Sequence, residues 1–226
     1  MYCSVVVGAD TIIKTTKNLF PFSEATARLE LTQEYTADLA KEPLPVAPLT
    51  STELVRVDNS GLFAIRLTMG LIKGASVESL RGDEKKNAIA KIIGHLCRMS
   101  TVRRWGEPGI LHTPIDALLG NWHMDADIPT LVDIYPPLSR DCFGRIKVFL
   151  DQKAEDRTGQ EQNRGRLGTM VPNLVMKGID SAPNDMTEEE SLDWAMNTFS
   201  QVSSPRLRSL LEQRTKDRIG QYFSFF

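Results

Sequence analysis

Apolar positions alternate near the start of the chain and recur at helical spacing further on. "SVVV" (Ser4 to Val7) and "TIIKT" (Thr11 to Thr15) flank a Gly8-Ala9-Asp10 punctuation, which predicts a hairpin of β-branched strands. From Ser23 to Ala40 the apolar residues fall near every 3.6 positions behind a serine suited to capping, which predicts a helix. Three prolines, Pro43, Pro45 and Pro48, end it, because proline lacks the amide donor and clashes with the preceding turn. "TELVRV" (52 to 57) and "LFAIRLTM" (62 to 69), joined by "DNSG", predict a second and clearer hairpin.

After Gly70 the pattern becomes helical. "LIKGASVESL" reads as a linker into a short helix, and residues 83 to 102 as an amphipathic helix with acids at its start and bases near its end. "LLGNWHM" and "IPTLVDIY" read as two strands joined by the turn "DADIP". A helix is expected from Leu138 to Ala154, then a polar loop from Glu155 to Gly168, and closing helices near 186 to 201 and 204 to 222. The expected division lies at Gly70: residues 1–70 a small sheet with one helix, residues 71–226 a helical unit.

Composition narrows the class without naming it. The 226 residues are long enough to bury a sizeable core. A net charge of -2 gives no electrostatic reason to expect a nucleic acid or an anionic membrane as partner. Cys3, Cys97 and Cys142 are far apart and odd in number, so a reducing cytoplasm is the expected compartment. No apolar run reaches the roughly 18 residues of a membrane span, and the start lacks the pattern of a signal peptide.

Candidate chemistry concentrates in one segment. Between Arg104 and Arg140 there is no lysine or arginine, while Glu107, Asp116, Asp125, Asp127 and Asp133 bring five carboxylates. Such a segment invites a divalent cation, whose hard charge prefers oxygen ligands; the plain alternative is a solvated acidic loop. Asp133 is the hardest to dismiss, because a carboxylate ending an apolar strand is costly to bury without a positive partner.

Asp116 and Asn121 stand in D-x-x-x-x-N spacing, and Asp133 follows at the end of the hairpin. This resembles the catalytic loop and metal-binding aspartate of the protein-kinase-like fold, and most of all the aminoglycoside phosphotransferase and choline kinase group. The upstream order is similar too: hairpin, lysine at a strand end, helix with glutamates, proline-rich connection, hairpin, linker. The resemblance spans roughly residues 4 to 140 and implies an α+β, two-lobe fold with a helical C-terminal lobe. It implies an ATP- and Mg2+-dependent phosphotransferase acting on a small-molecule hydroxyl. Asp116 would be the base; Asn121 and Asp133 would ligate magnesium; Lys14 would contact the phosphates. Glu30 or Glu34, with Glu34 favoured, would pair with Lys14, and the backbone at Met69 to Leu71 would meet the adenine.

The sequence also departs from that pattern. Pro114 stands two before Asp116 where the group has histidine, His112 lies four before, and "IYPP" follows Asp133. The first strand and glycine-rich loop of the group are missing before "SVVVG", which implies a truncated lobe or a protein that does without this lid. A second reading follows: a catalytically weak or inactive kinase-like protein that binds a nucleotide or a protein partner. A metal hydrolase built on His112, Asp116 and His123 with Asp125 or Asp127 is the rival outside the group.

Overall fold

The computed structural model describes residues 3–104, 106–136, 138–140, 146–148, 153–155, 161–163, 165–181 and 186–224. Strands β1 (Cys3–Val7) and β2 (Thr11–Thr16) form the first expected hairpin, β3 (Phe20–Pro21) is a short addition, and α1 (Phe22–Leu39) follows. Strands β4 (Leu49–Val57) and β5 (Leu62–Gly70) form the second hairpin and complete a five-stranded antiparallel sheet. β5 is the central strand, with β2 on one side and β4 on the other. Its sequence suits that place, since Ala64, Ile65, Leu67 and Met69 are all essentially buried. Lys14 sits in register between Leu67 of β5 and Val5 of β1. β1 is an edge strand whose Val5, Val6 and Val7 are exposed.

Helix α1 lies against β4 and β5 and buries Ala25, Thr32, Tyr35 and Leu39. Pro21, not the expected serine, precedes its first residue, and no side chain caps it. Its glutamates Glu30 and Glu34 are off the buried face and exposed.

Beyond Gly70 come α2 (Gly82–Arg98), the hairpin β6 (Thr101–Arg104) and β7 (Glu107–Leu111), and the hairpin β8 (Trp122–Asp125) and β9 (Ile128–Leu131). α2 is shorter than expected: Met99 is extended, with φ -64° and ψ 155°, and the β-branched Thr101 and Val102 enter β6.

The helix expected from Leu138 to Ala154 is corrected. Its described residues form β10 (Leu138–Arg140) and β11 (Ile146–Val148), paired antiparallel, and the start of β12 (Lys153–Glu155), which pairs with β13 (Glu161–Asn163). Ile146 and Val148 flank a lysine in the alternation that a strand favours. The expected polar loop is shortened likewise: β13 lies within it and α3 (Leu167–Ile179) begins before its end, while residues 156–160 and 164 lie outside the described residues.

Helices α4 (Glu188–Phe199) and α5 (Pro205–Phe223) close the chain near the expected positions. A reciprocal Thr187–Glu190 capping box starts α4, and Ser204 with Pro205 starts α5. α3 and α4 both pack on α5, and α2 packs on α3. One hydrophobic cluster runs from Tyr35, Leu39 and Met69 through Ile92 and Trp122 to Leu174 and Leu211, joining the sheet to the helices. Among the described residues, no helix is long and apolar enough to cross a membrane.

Candidate functional site

The β8–β9 hairpin is fixed at both margins, and this determines where the residues after it go. On one side the 74–76 linker zips onto β8: Met124 N–H donates to the Ala75 carbonyl at 2.9 Å, and a His123 ring nitrogen lies 3.2 Å from the Gly74 carbonyl. Only glycine fits at 74, because a Cβ there would run into the Met124 carbonyl oxygen. On the other side the proline-rich segment grips the end of β9. Leu131 N–H donates to Pro45 O, and Ala47 N–H to Leu131 O, each at 2.9 Å. Asp125 and Asp127 are exposed at the hairpin tip.

Residues 132 to 135 then run toward the sheet and are joined to it by reciprocal bonds. The Lys14 ammonium donates to the Val132 carbonyl at 2.8 Å and lies 3.6 Å from Asp133 Oδ1. In return the Tyr135 hydroxyl reaches the Lys14 carbonyl at 3.3 Å and the Ile65 carbonyl at 3.2 Å, sharing its one proton between them. The Lys14 side chain is 13% exposed and that of Asp133 35%, so the pair stands at a boundary, with its carboxylate facing solvent.

Asp116 and Asn121 connect to the same segment through a ladder of bonds. The Asp116 carboxylate accepts the Leu118 N–H at 3.2 Å, a local turn that orients it. Asn121 Nδ2 donates to the Asp116 carbonyl at 3.2 Å, and the Asn121 carbonyl accepts Val132 N–H at 2.8 Å. Lys14, Asp116, Asn121 and Asp133, singled out separately in the sequence, thus belong to one bonded assembly.

The other singled-out residues do not join it. Glu34, and equally Glu30, is exposed on α1, and the carboxylate beside Lys14 is that of Asp133. The cause is the phase of α1, whose sheet-facing stripe excludes both glutamates. Met69 lies in the central strand, paired with Ile12 and Leu49, and is fully buried. Leu71 N–H donates to the Asp10 carbonyl at 3.0 Å, so that amide is engaged inside the protein instead of being offered to a base. Among the described residues no three His, Cys, Asp or Glu side chains converge as a metal site, so the His112, Asp116 and His123 grouping does not form.

Tyr135 is the functional-site residue that spacing does not disclose, since nothing local to "DIYPP" says that its hydroxyl will bridge two strands. Lys14, Asp116, Asn121 and Asp133 line none of three cavities found elsewhere. The largest, about 500 Å³, lies between α2, the 73–75 linker and the hairpin tip.

The oxygen chemistry suits a hard cation. Asp133 offers a partly exposed carboxylate, and Asn121 an amide oxygen on the adjoining rung; magnesium keeps several waters and needs only one or two protein ligands beside phosphates. No family model and no curated protein matches the chain. Among solved structures it is similar to that of a microcompartment-associated aminopropanol kinase, over 99% of this chain and 93% of that chain, at 10% sequence identity and a TM-score of 0.38. So slight a likeness leaves the reading of the site to its own geometry.

Proposed function

We propose that this chain is a kinase-like phosphotransferase that transfers the γ-phosphoryl group of ATP, with Mg2+, to a hydroxyl of a small molecule. The observation that supports it most is the meeting of Lys14 with Asp133 at 3.6 Å, which brings a strand cation to the carboxylate that follows the hairpin. Residues 1–70 would be the nucleotide-side lobe and 71–226 the helical lobe of a cytoplasmic protein.

Asp133 and Asn121 would hold the magnesium, which when bound supplies charge neutralisation on the phosphates. The Lys14 ammonium has three donors, so it can keep the Val132 carbonyl and still donate to a phosphate oxygen. Asp116, oriented by the Leu118 amide, accepts the proton of the acceptor hydroxyl. The acceptor oxygen bonds to the γ-phosphorus as the bond from that phosphorus to the bridging oxygen breaks, and ADP leaves with that oxygen. Positioning and charge carry such a transfer, which is what a bonded assembly of this type provides. No residue is assigned to the adenine ring, because the Leu71 amide is already engaged. The second reading is a kinase-like protein that binds a nucleotide or a partner with little or no transfer, and the engaged Leu71 amide favours its partner-binding form.

Thermal denaturation with and without Mg·ATP tests nucleotide binding. At about a hundred times Kd the ligand adds about 2.7 kcal/mol, or a rise of roughly 5–10 °C for a chain of this size. Asp133→Asn should lose most of that rise. No rise in the unaltered protein would sink the phosphotransferase reading and leave of the second only a partner-binding protein. A rise with no phosphate appearing on any of a panel of amino sugars, amino alcohols and sugars would leave only the second. Transfer that survives Asp116→Ala would remove the assigned base.

A further inference from the structure

The stretch before Asp116 is gripped at two successive residues by side chains from the other half of the molecule. Tyr35, on the buried face of α1 and 4% exposed, donates its hydroxyl to the Pro114 carbonyl at 2.9 Å across 79 positions of sequence. Glu42, just beyond α1 and 9% exposed, accepts the Thr113 hydroxyl at 3.2 Å on one oxygen and the Ser100 N–H at 2.8 Å on the other. The Ser100 carbonyl in turn accepts His112 N–H at 2.8 Å. Thr113, Pro114 and Ile115 are buried, and the Tyr35–Pro114 and Thr113–Glu42 bonds are buried with them, so these two have no bulk water as a substitute partner.

Local structure cannot hold this stretch by itself. Residues 112 to 118 lie outside every helix and strand, and Pro114 brings no amide to bond with. The first regular elements on either side are β7, which ends at Leu111, and the turn at Leu119–Asn121. Between them Leu118 and Asn121 bond Asp116 locally, and the stretch just before it is anchored through space by Tyr35 and Glu42.

We infer that Tyr35 and Glu42 are positioning residues for Asp116, setting the carboxylate where an acceptor hydroxyl would meet it; the catalytic half of this inference rests on the phosphotransfer reading. Neither touches substrate. Both act by fixing the backbone two and three residues ahead of the base, and both tie that backbone to the unit that carries Lys14. α1 and the turn after it therefore set the base relative to the phosphate-binding lysine.

The test uses the full chain and two variants, Tyr35→Phe, which removes one hydroxyl, and Glu42→Gln, which leaves only one acceptor oxygen. Hydrogen exchange reads the anchor directly. The amides of Leu118 and Asn121 should exchange about tenfold faster in both variants, while that of Leu131 in β9 stays unchanged. Wild-type exchange at Leu118 and Asn121 in both variants would overturn the anchor, whatever the activity. Turnover of Mg·ATP, with water or a found acceptor, reads positioning. Here kcat should fall roughly 10- to 100-fold with KM for Mg·ATP unchanged, since misplacement of a reacting group costs rate and not nucleotide affinity. An unchanged kcat with faster exchange would overturn the positioning role. An unaltered protein that neither binds nor turns over Mg·ATP fails the phosphotransfer reading, and with it the catalytic half, while the exchange result stands separately. Where one variant does not fold, the other is read alone.

Discussion

Replacing Lys14 by methionine isolates what its ammonium does, because methionine keeps most of the buried stem and removes only the charge and its donors. The bond to Val132 O, at 2.8 Å with the lysine side chain 13% exposed, is charge-assisted and should contribute about 1.5–3 kcal/mol. The pair with Asp133 at 3.6 Å would give about 4–5 kcal/mol at an effective dielectric constant of about 20. Asp133 is about a third exposed, however, so water screens the pair and about 0.5–1 kcal/mol is the fitting figure. Lys14→Met should therefore cost about 2–4 kcal/mol, and Asp133→Asn no more than about 1 kcal/mol. In urea, with a slope of about 2–3 kcal/mol/M, the midpoint falls by roughly 1 M for the first and barely moves for the second. A double-mutant cycle should return a coupling below about 1 kcal/mol. The reasoning fails if the two single variants lose equal stability, for then the ion pair and not the carbonyl bond would hold the segment. It fails equally if Lys14→Met leaves the midpoint where it was.

The remaining expectations concern groups away from the site. Burial, and after it the Arg98 charge, pushes the His95 pKa down, and Arg98 Nη2 lies 2.8 Å from His95 Nδ1. The unfolded chain then binds a proton that the folded one refuses, so this histidine's stability is present above about pH 6.5 and lost as pH falls from there toward its folded value. The melting-temperature gap between wild type and His95→Gln should narrow or change sign from pH 8 to pH 5; a constant gap would refute the assignment. Ser191 and Thr215 are fully buried on α4 and α5, and their hydroxyls have no partner among the described residues. Ser191→Ala and Thr215→Val should be neutral or stabilising by up to about 1 kcal/mol, since an unpaired buried hydroxyl is itself a cost, and a loss above that would reveal a hidden partner. Burial raises the Cys97 thiol to about 12. Peptide mapping after iodoacetamide at pH 8 should find Cys97 unmodified in native protein and modified in urea; labelling at equal rates in both would contradict its burial.

How much was legible in the sequence follows from how local each signal is. The two N-terminal hairpins, α1, α4 and α5 were readable because alternation, 3.6 spacing and proline or glycine punctuation all act within a few residues. α3 was not. Leu167, Val171, Leu174, Val175 and Gly178 carry its period, but Pro172 inside the helix and the glycines at 165 and 168 resemble a loop. The helix expected over 138–154 misled for the opposite reason: its charged spacing resembles a helix, while its described residues pair as short strands with partners that no local window identifies. At the site, Asp116, Asn121 and Asp133 were visible as spacing. That Lys14 meets Asp133 and not Glu34 depends on the phase of α1 against β4 and β5, which no local window contains. Tyr35, Glu42 and Tyr135 were silent because each acts over dozens of residues on a backbone atom.

That last trait bears on how such a site would persist through sequence drift. The rungs from Asp116 through Asn121, Val132 and Lys14 to Tyr135 all end on main-chain carbonyls. Every amino acid supplies a carbonyl, so Val132 can change to almost any residue without removing a rung. Inheritance of the assembly requires only a few donors, Asn121, Lys14 and Tyr135, scattered over widely separated positions. Descendants could keep the same wiring while sharing little sequence.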